Sequence, residues 1–237
     1  MEGDSDIIAP HGGQLVDCCL PRRQLASCIR QLSTLPKLAL NSRQQCDVEM
    51  ILNGTFSPLT GYLDQANYQN VLKNMRLLDG TVWPMPIVLD ISAEFAEQLK
   101  SDQLVLQDNE GVPVAILDIS SKWQADKKQE ACILFGTDDS HHPGVRILLN
   151  QVGPIYVGGR LYALQPIQHY DFPGFRLTPK QMRNKLVQWG WHKVIGFQSR
   201  HAMHRLHHKV TLQTAHQLNG KLLIQPIISH SSPEGSE

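Results

Sequence analysis

The chain has 237 residues, 41% of them hydrophobic, enough for one large domain or a medium domain plus a fragment, with a real core. Lysine and arginine number 22 and offset 22 aspartates and glutamates without a long like-charge run, which argues against a broad nucleic-acid footprint and makes any anion site local. Five cysteines without a C-x-x-C pair argue against a disulfide framework and a thiolate zinc site, and no stretch is long and apolar enough to cross a bilayer. The opening "MEGDSDIIAP" is acidic where a signal peptide would be basic and then apolar, so the expected location is cytoplasmic.

In chain order, "PRRQLASCIRQLSTLPKLAL" (21–40) and "DQANYQNVLKNM" (64–75) read as helices. "TVWPMPIVLDIS" (81–92) reads as a strand entered through prolines. It is followed by the short helix "AEFAEQLK", whose Phe95, Ala96 and Leu99 share a face. "QLVLQDNEGVPVAILDIS" (103–120) holds two β-rich runs around Asp108-Asn109-Glu110-Gly111, a hairpin by its turn chemistry. "GPIYVGGRLYALQPI" (153–167) sets Gly158-Gly159 between apolar runs, which predicts a second hairpin with a primed two-residue turn. Asp138, Asp139, His141 and His142 imitate a metal or acid-base cluster but sit in a turn-rich stretch, and Phe56 and Tyr62 read as packing residues.

The character changes near residue 173. Thr178 suits an N-cap with Pro179 at the first helical position, Met182, Leu186 and Trp189 recur at helical spacing, and Gly190 can end that helix. "HKVIGF" and "KLLIQPII" (221–228) read as strands on either side of a helix, so the order helix, strand, helix, strand predicts the start of a parallel α/β sheet. The linking stretch "GFQSRHAMHRLHHKV" (196–210) crowds four histidines and two arginines at the expected start of an amphipathic helix. There Met203, Leu206 and Val210 lie opposite His201, His204, Arg205 and His208, with His207 between. A helix entered from a parallel strand aims its unpaired N–H groups at the carboxyl edge of the sheet, which is an anion site by construction. Residue types alone leave two alternatives open: solvated surface histidines, or a metal shared by His204 and His208 at i, i+4. No carboxylate accompanies that pair.

The order of residues in "FQSRHAMHRLH" resembles the "FQTRNPMHRAH" signature of the ATP sulfurylases, the sulfate adenylyltransferases. "IIAPHGGQLVD", "NGTFSPLTGYL", "FGTDDSHHPGV", "GPIYVGGRLYALQPIQHYDF" and "LTPKQMRNKLVQWGW" are similar to further segments of that family, in its order and over nearly the whole chain. The resemblance implies an α+β fold: a PUA-like β-rich N-terminal domain (1–172) followed by the first part of an α/β nucleotidyltransferase domain with a Rossmann-like parallel sheet (173–237).

It implies the conversion of ATP and sulfate to adenosine 5′-phosphosulfate and pyrophosphate by direct in-line attack, with Mg2+ accompanying ATP and no protein-bound metal. Position by position, Gln198 and Arg200 would hold sulfate, and His204 and His207 the ATP phosphates. Ser199, Arg200 and His201 fall in the active loop, where Ser199 can also serve as a helix N-cap. The departures from the family pattern include His201 for asparagine, Ala202 for proline, Leu206 for alanine and Gln225 for histidine, with Ser199 for threonine. His208 stands where the family has an acidic residue and inherits no role. The glycine-rich "GRDHAG" loop does not occur, so the resemblance also implies a C-terminally incomplete catalytic domain with weak or no turnover, an open sheet edge and an uncovered helix face. The partners implied are ATP, sulfate and their products, with no nucleic acid and no membrane, and either a homo-oligomer or docking to a complementary subunit. The competing reading is a non-catalytic oxyanion-binding or docking module.

Overall fold

The computed structural model describes residues 7–19 and 32–227. These fall into two units, one from Ala9 to Pro179 and one beginning at Lys180, which also takes in Ile8.

In the first unit, β1 (Lys37–Ala39), β4 (Gln103–Gln107), β5 (Pro113–Gln124), β6 (Ile155–Ala163) and β2 (Gly61–Tyr62) form one sheet in that order, and β3 (Leu89–Ile91) also pairs with β6. β4 and β5 make the hairpin expected from the Asp108–Gly111 turn. The Asp108 carboxylate there accepts the N–H groups of Glu110 and Val112, the local bonding that makes aspartate a turn residue.

The second expected hairpin is not formed. β6 runs unbroken through Gly158 and Gly159, and these glycines sit where it exchanges one partner strand for another. Leu89 of β3 lies opposite Val157, whereas Tyr62 of β2 lies opposite Gly159. A Cβ on Gly158 would stand 2.0 Å from the Leu63 carbonyl oxygen, and one on Gly159 would stand 1.9 Å from that of Asp118, beside a bulge in β5 between Ile119 and Ser121. The pair therefore provides close backbone approach rather than a turn.

Among the described residues, five helices belong to this part of the chain: α1 (Ser42–Leu52), α2 (Gln65–Asn74), α3 (Ala93–Gln98), α4 (Lys127–Phe135) and α5 (Pro143–Asn150). α1, α4 and α5 were not expected from the sequence. α1 starts with a full capping box, Asn41 accepting from the Gln44 backbone while the Gln44 side chain accepts from Asn41 N–H. Of the helix expected over 21–40, residues 20–31 lie outside the described residues, and its end is instead the strand β1, parallel to β4. The strand expected over 81–92 shortens to Leu89–Ile91. The 138–142 cluster is a turn leading into α5, with His141 Nδ1 2.8 Å from Asp139 Oδ1.

The core forms where the sheet meets α1 and α3 around Val48, Ile51, Leu89, Leu104, Leu117 and Leu161, and Tyr62 is buried within it. A second cluster gathers Tyr68, Trp123 and Tyr156, whose rings meet edge-on or tilted at 5.4–5.9 Å. The two phenols there donate to one oxygen of the buried Glu130 at 2.9 and 2.8 Å, and burial pushes that carboxyl above its ordinary pKa.

The second unit holds α6 (Pro179–Gln188), β7 (Val194–Ser199), α7 (Arg205–Leu218) and β8 (Lys221–Pro226), with β7 and β8 parallel and joined through α7. Gly190 ends α6 at φ +62°, its N–H donating to Val187 and that of Trp191 to Leu186. Among the described residues, no hydrophobic side chain after Ile167 is buried. α7 does not bury the apolar side read from its sequence: Leu206 is 63% and Val210 52% exposed, while Thr211 is buried, its hydroxyl donating to the His207 and His208 carbonyls. No helix among the described residues is long and apolar enough to cross a membrane.

Candidate functional site

The loop between β7 and α7 collects the residues singled out in the sequence. β7 ends at Ser199, with Gln198 exposed opposite Gln225 and Ser199 opposite Pro226 in the parallel register. Extended backbone alternates its side chains, so Phe197 turns inward and Gln198 outward. α7 begins at Arg205, four residues later than a helix starting at His201 would: His201, Ala202 and Met203 are outside it, and His204 is its N-cap at φ −101°, ψ 174°. Ser199 therefore does not cap the helix. Its hydroxyl donates to the His201 carbonyl at 2.9 Å and accepts the His201 N–H at 3.0 Å, closing the loop on itself.

No side chain caps α7, so the N–H groups of its first turn are left for an outside acceptor, at the positive end of a 14-residue helix. His204 and His207 stack there with centroids 3.8 Å apart and planes at 29°. His207 also packs on Phe197 at 5.5 Å, a support the sequence reading missed although strand alternation places Phe197 on the inner side. The His207 Nδ1 is buried without a hydrogen-bond partner among the described residues. Arg200 is exposed, and its guanidinium engages no group among the described residues.

The loop thus brings Gln198, Ser199, Arg200 and His201 to the sheet edge, with His204 and His207 one step on at the helix end. Leu206, which stands where the family pattern has alanine, is exposed to solvent. Among the described residues no group of three or more histidines, cysteines or carboxylates could hold a metal, so His204 and His208 have no third ligand. Chemically, exposed donors and cations face outward with no acidic residue in the sequence between Phe172 and Pro233, a site for anions.

Sequence profiles match in tandem: that of the PUA-like domain over residues 8–166 and that of ATP-sulfurylase over residues 173–236. Sulfate adenylyltransferase of Kluyveromyces lactis is 45% identical over 231 residues, covering 95% of this chain and 45% of the relative. That of Saccharomyces cerevisiae is 42% identical over 230 residues, with the same coverages. A solved structure titled a hexameric APS kinase from Thiobacillus denitrificans superposes with a TM-score of 0.76 at 29% identity, over 93% of this chain and 39% of that one. The chain thus spans about half the length of the curated relatives it matches.

Proposed function

This chain belongs to the ATP-sulfurylase family, a PUA-like domain followed by a nucleotidyltransferase-like α/β segment, and from that premise we propose that the β7–α7 loop joins sulfate to the α-phosphate of ATP. In this reading a sulfate oxygen attacks the α-phosphorus, the new S–O–P link forms, and the bond from the α-phosphorus to the bridging oxygen of pyrophosphate breaks. No proton need be removed from sulfate and no protein nucleophile is used. The work is to hold two like-charged groups in line and to neutralise charge on the leaving pyrophosphate.

Gln198 and Arg200 would orient sulfate, the guanidinium by a two-pronged contact. Ser199 keeps the loop closed through its two bonds to His201, and His201 takes the position of the family asparagine. His204, His207 and the free N–H groups of α7 would receive the ATP phosphates, and the His204–His207 stack presents both rings as one surface. The donor set does not fit a protein-held Mg2+, which favours oxygen ligands, so the ion would arrive on the phosphates of ATP.

The observation that carries the reading is the convergence of these side chains on one uncapped helix end directly after a parallel strand. The test is the reverse reaction: the chain supplied with adenosine 5′-phosphosulfate and pyrophosphate forms ATP, and Arg200→Ala lowers kcat/KM by about 100-fold. A yield no greater than that of a heat-killed control removes the catalytic reading.

A second reading, an oxyanion-binding or docking module without turnover, draws on the exposed apolar side of α7 and the absence of buried hydrophobic residues after Ile167 among those described. Melting-temperature shifts with sulfate or ATP in a chain that makes no ATP would favour it over catalysis.

A further inference from the structure

The balance of charge over the whole chain conceals a division. All but two of the 22 acidic residues precede Phe172, whereas the stretch from Phe172 to Pro233 holds nine lysines and arginines and no aspartate or glutamate. A net charge of zero therefore does not describe the second unit, whose described residues 180–227 hold eight lysines and arginines and no aspartate or glutamate. Part of that charge lies at the β7–α7 loop. The rest includes a cluster at the other end of the same two strands.

There, Trp189 and Trp191 flank Gly190 just after α6, with ring centroids 5.0 Å apart and planes at 46°. Trp189 is 49% exposed, an unusual setting for so large an apolar surface. The Lys185 ammonium lies 5.7 Å from the Trp189 ring centroid, one turn back on α6. Two residues beyond Trp191, Lys193 precedes β7, its carbonyl accepting the N–H of Lys221 at the start of β8 and its ammonium donating one of its three N–H groups to the Leu218 carbonyl at 2.9 Å. Three lysines and a tryptophan pair thus share the entry end of the sheet. The catalytic loop lies at the exit end, about 16 Å away along β7 at about 3.3 Å per residue.

We propose that this cluster is a second binding surface, for single-stranded nucleic acid. The lysines supply contacts to successive phosphates, and the exposed tryptophan offers a flat face on which a base can stack irrespective of its identity. The aromatic pair is what selects this partner: inorganic polyphosphate meets the same lysines but has no ring to place on Trp189. Binding here is independent of the sulfate and ATP chemistry, since none of these residues belongs to the loop after β7.

The test is a fluorescence-anisotropy titration of the whole chain with a labelled oligonucleotide of about 12 residues, without ATP or sulfate. The expected result is saturable binding at low salt, with log K falling against log salt at a slope of about −2 for three lysine contacts. Trp189→Ala weakens it about tenfold while Trp189→Phe retains most of it. Lys221→Gln and Lys193→Gln each reduce the slope without unfolding the chain, checked by circular dichroism. Unlabelled polyphosphate competes, but its affinity does not change on Trp189→Ala. No binding at low salt overturns the proposal, as does an oligonucleotide affinity indifferent to both Trp189 substitutions, or a loss on Arg200→Ala as large as on Trp189→Ala. In that last case the ligand sits in the catalytic loop.

Discussion

Ser199 shows how much one hydroxyl can organise. It is both donor and acceptor to the backbone of His201, so it sets the path of the chain that carries Arg200 without needing to touch a substrate. Ser199→Thr keeps both bonds and should retain activity. Ser199→Ala loses them, and kcat/KM should fall about tenfold or more, since a misplaced binding group can cost about 100-fold. The change should fall mainly on the KM for sulfate if the hydroxyl only positions the loop, and on kcat if it acts in the transition state, a split that steady-state kinetics at saturating ATP reads directly.

Glu130 makes a different residue-scale prediction, in the other unit. Burial raises its folded-state pKa above the unfolded value, against the lowering effect of the Tyr156 and Tyr68 hydroxyls. For an acid shifted upward, the stabilising contribution is present below the unfolded pKa and is lost as pH rises through the folded one. The wild type should therefore lose stability relative to Glu130→Gln as pH rises from 4 to 8. Urea melts of both proteins across that range check it, and a difference that is flat with pH refutes it.

At the scale of elements, β6 is held less by its apolar residues than by the absence of two side chains. Gly158→Ala would drive a methyl into the Leu63 carbonyl, and backbone atoms there cannot move without parting β6 from β2 and β3. The expected loss is about 3 kcal/mol or more, measurable as a fall in denaturation midpoint, and a variant of wild-type stability would show that the crossing can relax. This is also where the sequence misled: a Gly-Gly step between apolar runs has the composition of a primed turn and of a strand crossing alike, and only the partner strands, nearly a hundred residues upstream at Tyr62, distinguish them. The Asp108–Gly111 hairpin was legible because its stabilising bonds are local.

The strand, helix, strand order around the histidines was legible for a similar reason, through short apolar runs and Gly220. The start of α7 was not, because four histidines carry no strong capping preference and the Ser199 hydroxyl is spent on the loop. Which side of α7 packs was hidden too. Periodicity identifies an apolar stripe, but the stripe is buried only where something covers it, and here His207 and Thr211 face inward instead.

For the whole molecule, burial is distributed unequally. The unit from Ala9 to Pro179 owns all three hydrophobic clusters, whereas among the described residues of the α6–β8 unit only Thr211 is buried. Apolar burial contributes roughly 25 cal/mol per Å², so the second unit gains little of it and has the conformational entropy of its own chain to offset. The two units should consequently unfold at different temperatures rather than in one transition. Limited proteolysis should cut first within residues 180–227 and leave a protected fragment corresponding to the first unit, identified by mass.

If the β7–α7 loop is the anion site, saturating sulfate or ATP should raise the lower transition alone, by about 2.7 kcal/mol at a hundred times the dissociation constant. The upper transition, belonging to a unit without that site, should not move. A single cooperative melt, or a ligand shift in the upper transition, would contradict both the division of stability and the placement of the site.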